Sequence, residues 1–208
     1  MSGEVGFILR LPEGWTEYDL SGRELARAHT EARLSARTQV DKLAINDINR
    51  QVRGVLRTFV RRGALFAGGL VESYDEGAFM AFVAVFGVVV PEQGHAGLLA
   101  ALRQGNAQRD DREVTSVDLL DDIKGARVTG VESVPVTDED KVAMYAMTTV
   151  VPVPDDSGRH LVISAVSPNV EHAPLLAELF DVVTGTFRFA RSVEWLDTLP
   201  AEANELSR

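Results

Sequence analysis

The apolar pattern of this chain switches from a helical to a strand period at Gly63, and that switch restricts the fold more than any other feature. Upstream, Ile45, Ile48, Val52, Val55 and Phe59 recur at spacings of 3, 4, 3 and 4, which puts them on one face of a helix. Gly63 is a helix stop. Downstream, residues 65–74 and 78–90 read as strands joined by a turn at Asp75, Glu76 and Gly77. The 13 residues from Ala78 to Val90 are the most apolar stretch, yet a membrane helix needs about 20. Bounded by Gly77 and Pro91 and rich in Val and Phe, they predict a buried strand.

The same reading extends to both ends. Val5 to Leu11 predicts a first strand, and a turn at Pro12 and Gly14 delivers Trp15 as a core anchor. Ser21 with Glu24 three residues on predicts a capping box and a helix from Gly22 to Arg62. At about 40 residues that helix is long for a globular domain, so a break is expected near Thr38. A short helix is expected at 94–104, a polar loop at Gly105 to Glu113, and strands at 114–120, 126–134, 142–153 and 160–167. Asp155, Asp156, Ser157 and Gly158 turn the last pair. Leu175, Leu176, Leu179, Phe180 and Val183 give the segment from Val170 to Thr184 a helical period, with Pro168 before it and Gly185 after it. Helices flanking a run of strands define an α+β fold. Residues 1–190 are expected to form one domain and 191–208 an acidic tail; with 45% hydrophobic residues among 208, the chain can bury one good core.

Charge and composition exclude several function classes. The chain carries 31 acidic and 21 basic residues, a net charge of −10 and a pI near 4.9, so its overall field repels nucleic-acid phosphates and anionic membranes. No nucleic-acid or membrane partner is expected. The absence of cysteine removes disulfides, thiolate metal sites and cysteine nucleophiles together. The first residues show neither a cationic region nor a long apolar one, so a cytoplasmic protein is expected.

No familiar catalytic pattern emerges. His29, His95, His160 and His172 fall in four different predicted elements without ligand spacing and read as structural or solvated. No G-x-S-x-G string is present, and Lys42, Lys124 and Lys141 follow no phosphate-loop frame. The acids Asp110, Asp111, Glu113, Asp118, Asp121 and Asp122 lack calcium-loop spacing and are interleaved with Arg109 and Arg112, which favours a solvated loop. Asp138, Glu139 and Asp140 read as a turn. Gly68 and Gly69 inside a strand mark a bulge or a close backbone approach, or leave room for a ligand groove over the sheet. No metal or cofactor is expected, and the chain is read as not an enzyme.

The clearest charge feature lies on the long helix. Residues 22–62 hold ten basic and four acidic side chains, a local +6 in an acidic protein. Arg50, Arg53, Arg57 and Arg61 recur at spacings of 3, 4 and 4 beside the apolar face, with Arg62 at the end. Such a stripe can hold a carboxylate-rich protein partner or be a solvated face neutralised by the protein's own acids.

The Pro12-x-Gly14-Trp15 turn, the long helix, the paired strands, the Gly125-Ala-Arg127 strand start, the Val151-Pro-Val-Pro154 strand, and Ser167-Pro168 leading to a helix run that ends in Thr186-Phe187-Arg188-Phe189 resemble the PsbP-like superfamily over residues 5–189. That superfamily takes in the yeast Ran-binding protein Mog, the PsbP subunits and actinobacterial LpqN/LpqT-type lipoproteins. The resemblance implies an α/β/α sandwich around a mainly antiparallel sheet, and a non-enzymatic interaction module, an adaptor or a chaperone linked to secretion or assembly. The chain lacks a lipobox cysteine, so membrane anchoring does not carry over, and neither do metal ligands. The alternative is a binder of a small anionic ligand, or an enzyme, with its pocket between the sheet and the long helix beside Arg50, Arg53 and Gly69. The apolar Trp195, Leu196 and Leu199 of the tail fit back-packing or a homodimer contact.

Overall fold

A computed structural model describes residues 6–74, 77–89, 95–106, 112–135, 141–154 and 158–190. Its elements run β1 (Gly6–Ile8), β2 (Thr16–Glu17), α1 (Arg23–Ser35), α2 (Gln39–Arg61), β3 (Ala64–Tyr74), β4 (Gly77–Val89), α3 (His95–Asn106), β5 (Arg112–Asp118), β6 (Lys124–Pro135), β7 (Lys141–Pro152), β8 (Arg159–Ser167), α4 (Ala173–Gly185) and β9 (Arg188–Ala190). The expected strands at 65–74, 78–90, 126–134, 142–153 and 160–167 are β3, β4, β6, β7 and β8, within a residue or two at each end. Asp75 and Glu76 of the expected hairpin turn lie outside the described residues, but Tyr74 pairs with Gly77 across it.

Seven strands form an antiparallel sheet in the order β2-β3-β4-β8-β7-β6-β5. Side chains alternate between its faces, as strand geometry requires. On one face Ala81, Val83 and Val85 of β4, Tyr145, Met147 and Val151 of β7 and Leu161, Ile163 and Ala165 of β8 pack on Leu176, Phe180 and Val183 of α4 and on Phe187. On the other, Met80, Phe82, Ala84 and Phe86 of β4 pack on Val52, Leu56 and Phe59 of α2. Leu98 of α3 covers Ala126 and Val150 further along that second face. The result is an α/β/α sandwich, with β4, β7 and β8 apolar on both faces because both are covered. Phe82, Phe180 and Phe187 are fully buried, each burial contributing about 2–3 kcal/mol.

The helix expected at 22–62 carries the break expected near Thr38, which caps α2: its hydroxyl accepts from Asp41 N at 3.1 Å while Asp41 Oδ2 accepts from Thr38 N at 3.0 Å. Three other expectations are corrected. The Ser21–Glu24 capping box does not form, because Gly22 occupies the N-cap at φ 74° and the Asp19 carboxylate accepts from Ser21 N at 2.8 Å and Arg23 N at 3.2 Å instead. The Ser21 hydroxyl also donates to Asp19, and that bond first, then the backbone ones, holds the Asp19 carboxyl below its ordinary pKa. Finally, Arg188-Phe-Ala190 is not a helix end but β9, pairing with β1 (Ile8 opposite Arg188) as a separate two-stranded ribbon. The first strand, expected at Val5–Leu11, ends at Ile8 as β1, and Val5 lies outside the described residues. Trp15 is partly buried against the α4-side core, as its role as an anchor requires.

The remaining boundaries shift modestly. α3 runs on through Gly105 and Asn106, and β5 begins at Arg112, so both ends of the polar loop expected from Gly105 to Glu113 are helix or strand, and residues 107–111 lie outside the described set. So do 136–140 and the tail from 191.

Candidate functional site

α2 overhangs the distal end of the β3–β4 hairpin, and between them lies a cleft of ≈ 450 Å³. One wall is Ala44, Asp47, Ile48 and Gln51 of α2; the floor is Ser73, Tyr74, Gly77, Ala78 and Met80 of the hairpin; Pro168 and Asn169 close the far side. The floor exists because β8 stops pairing with β4 at Phe82, which leaves the edge of β4 open beyond that point. The Asn169 side chain takes over there. Its Nδ2 donates to Ala78 O at 3.1 Å and its Oδ1 accepts from Met80 N at 2.9 Å, so one amide imitates a strand. Asn169 N in turn donates to Ser167 Oγ at 3.1 Å.

The polar rim is fixed by local bonds. Gln51 Nε2 donates to Asp47 Oδ2 at 3.0 Å, and Arg50 pairs with the other oxygen of Asp47. The Tyr74 hydroxyl bonds to the Glu72 carboxylate, and that bond raises the phenol pKa. The interior is apolar, supplied by Ala44, Ile48, Ala78, Met80 and Pro168. An apolar site with a few convergent amides and one carboxylate suits an inserted apolar side chain.

The arginine stripe runs away from this cleft along α2. Arg50, Arg57 and Arg61 are exposed and Arg53 is half-buried; Arg57 Nε donates to Arg53 O at 3.3 Å. The Arg50–Asp47 pair is solvent-facing, so it is easily exchanged. Arg50 is next to the cleft in sequence, and none of the four arginines lines it.

The pocket expected beside Gly69 is corrected. A Cβ on Gly69 would lie 2.6 Å from Ala81 O, 2.8 Å from Phe82 Cδ1 and 3.0 Å from Tyr18 Cε2, and one on Gly68 would lie 2.7 Å from Leu11 Cδ1. These glycines let β2 and its flanking side chains pack directly on β3, so Leu11 and Tyr18 occupy the space a ligand would need. Burial pushes the Tyr18 hydroxyl up to about 12.

Other candidate residues fall apart in space. His29 Nε2 meets Asn46 Oδ1 at 3.1 Å, tying α1 to α2. His160 is buried with Nδ1 3.1 Å from Gly158 O, and the His172 ring lies against Phe79. Asp118 pairs with Lys124 at 2.9 Å, a bond that raises the lysine pKa. Asp110 and Asp111 lie outside the described residues, and among those described no three His, Asp or Glu converge as a metal site would require.

A second polar cluster was not foreseen. Arg127 of β6 is 7% exposed. It donates from Nε to Thr149 Oγ1 at 3.1 Å, from Nη2 to Thr184 Oγ1 at 2.8 Å, and from Nη1 to the Asp181 carboxylate. The Thr184 hydroxyl in turn donates a hydrogen bond to Phe180 O at 2.8 Å. The cluster pins α4 to the sheet, and Tyr145, stacked on Phe180, has its pKa raised chiefly by burial.

The chain matches no protein-family model and no curated protein sequence. Among solved structures it is similar to the crystal structure of LpqN of Mycobacterium tuberculosis, described as involved in cell envelope biogenesis, with a TM-score of 0.42 and 10% identity, covering 91% of this chain and 86% of LpqN. With one residue in ten shared, no side chain carries over. Among the described residues no helix is long and apolar enough to cross a membrane.

Proposed function

We propose that the chain is a non-enzymatic protein-interaction module that receives a segment of a partner protein on α2, an apolar side chain entering the cleft beside Asn169 and acidic groups meeting Arg50, Arg53, Arg57 and Arg61. The observation that carries this is the cleft itself: apolar inside, amide-rimmed, and beside a cationic helix in a protein of net charge −10. An acidic surface repels acidic segments everywhere except at its one basic helix face, so it directs them there. A cytoplasmic adaptor or chaperone serving secretion or assembly is the setting the PsbP-like resemblance implies, and the captured partner would name the pathway.

The test is capture from source lysate at moderate salt with the wild type, an Arg50→Glu/Arg53→Glu/Arg57→Glu variant and a cleft-filling Ala44→Trp variant. A partner retained by the wild type and lost by both variants supports the module. Retention that ignores both variants overturns it.

The small-ligand alternative keeps one supporting observation, the cleft volume, which lies within the range of ligand sites. Its polar groups are Asp47, Gln51, Ser73, Tyr74 and Asn169, which suit a neutral or cationic ligand better than the anionic one expected.

A further inference from the structure

Two apolar patches of opposite charge lie on opposite faces of the sandwich. At the α1–α2 corner Leu34, Val40 and Leu43 are 82%, 74% and 59% exposed, among the exposed cations Arg33 and Arg37, while the acids there are engaged, Glu31 with Arg27 and Asp41 in the cap of α2. On the outer side of α4, Leu175 and Val182 are 58% and 64% exposed, beside the exposed carboxylates of Glu178 and of Asp181, which reaches Arg127 from the solvent side. α4 needs neither Leu175 nor Val182 for its own core, because Leu176, Phe180 and Val183 fill that role. Large aliphatic side chains held in water on these two helices are free to enter a contact.

We propose that the two patches are the halves of one head-to-tail contact, the α1–α2 corner of one copy docking on the outer face of α4 of the next. The charges decide the occupant. The corner is basic and apolar, whereas the α4 face is acidic and apolar, so each complements the other and neither complements itself. A self-complementary twofold contact through either patch would set like charges together. Because the patches lie on opposite sides of the sheet, one copy cannot close the contact on itself, and the association is heterologous, able to add copies in series. This goes beyond the reading of the cleft and the Arg50–Arg61 stripe, and it assigns the α1–α2 corner a second copy of this chain as its occupant.

The test measures mass by light scattering against protein concentration, at about 50 mM and about 500 mM salt, where screening differs strongly. The wild type is expected to rise above its 22.6 kDa monomer mass with concentration at low salt and to return towards it at high salt. Arg33→Glu/Arg37→Glu, with an acidic corner, and Leu175→Lys/Glu178→Lys, with a basic α4 face, should each stay monomeric alone. Their equimolar mixture should associate again, since each variant's altered patch now complements the other's. All four substitutions are at exposed positions, and circular dichroism confirms the fold. A wild type that stays monomeric to about 0.5 mM, variants that associate as the wild type does, or a mixture that does not recover each overturns the proposal. A monomeric wild type that still captures an acidic partner through α2 overturns self-association alone, whereas loss of both overturns the docking surface.

Discussion

Arg127 is the charge whose environment makes the most exacting forecast. Its side chain is 8% exposed while that of Asp181 is 67% exposed, so the two ends of this pair stand in different solvents. Removing Asp181 leaves a guanidinium buried under α4 with only two hydroxyl acceptors. One hydrogen bond to a charged group is lost and part of a desolvation cost is uncovered, together about 2–3 kcal/mol after allowance for the exposed carboxylate. Replacing Arg127 with Met removes three bonds but leaves no buried charge. Asp181 returns to water, Thr184 keeps its bond to Phe180 O, and Met fills most of the volume, so the cost is about 1 kcal/mol. Urea or thermal unfolding should therefore rank Asp181→Ala below Arg127→Met, with Tm shifts of about 6–9 °C and about 3 °C for a domain of this size. The double variant should behave like Arg127→Met alone, because Asp181 then has no cation to satisfy. An Arg127→Met protein less stable than Asp181→Ala, or additive losses in the double variant, would refute the view that the buried cation sets the energetics.

Other outcomes follow from the same physics. Gly69→Ala forces a Cβ onto Ala81 O, a backbone atom that cannot swing aside, so a loss of about 2–3 kcal/mol is expected in urea unfolding. Thr38→Ala removes the cap of α2 and should cost about 1 kcal/mol, whereas Glu24→Ala, outside any formed capping box, should cost a few tenths at most. Raising the pH should lower stability from about pH 10 to about 12: Tyr18 ionises near 10 when unfolded but near 12 when folded, so the unfolded state sheds its proton first and stability fades across that window. Ultraviolet titration of the phenols should show a last step near 12 that Tyr18→Phe abolishes.

The layers of the fold were legible because they rest on local patterns. The apolar run of β4, rich in Val and Phe, and the 3.6-residue period of α2 are each written within about a dozen residues. The features missed depend on partners far along the chain. β9 is three residues long and exists because Arg188-Phe-Ala190 meets Gly6-Phe-Ile8, and nothing in either triplet announces the other. β2, with two residues, is too short for any period to register. Arg127 sits in an ordinary strand sequence, and its partners are 22, 54 and 57 positions away. Ser21 and Glu24 had the spacing of a capping box, yet Asp19, two residues earlier, reached the same N–H groups with a stronger acceptor.

The candidate site divides in the same way. The arginine stripe is a periodicity and could be read from the chain, as could the close approach at Gly68 and Gly69. The cleft could not, since it arises where β8 ends before β4 does and Asn169 substitutes for the missing strand. Pro168 preceding a helix was visible; that the next residue would pair with Ala78 and Met80 was not.

The docking of a partner segment in the cleft can be tested by a photo-crosslinking amino acid placed at Gln51, on the cleft wall, with the same group at Asp118, on the distant β5 edge, as the control. The account expects an adduct with a distinct protein from position 51 and none from 118, lost when Arg50, Arg53 and Arg57 are reversed to Glu. Equal adducts from both positions, or none from 51 under conditions where a partner is captured, would contradict it.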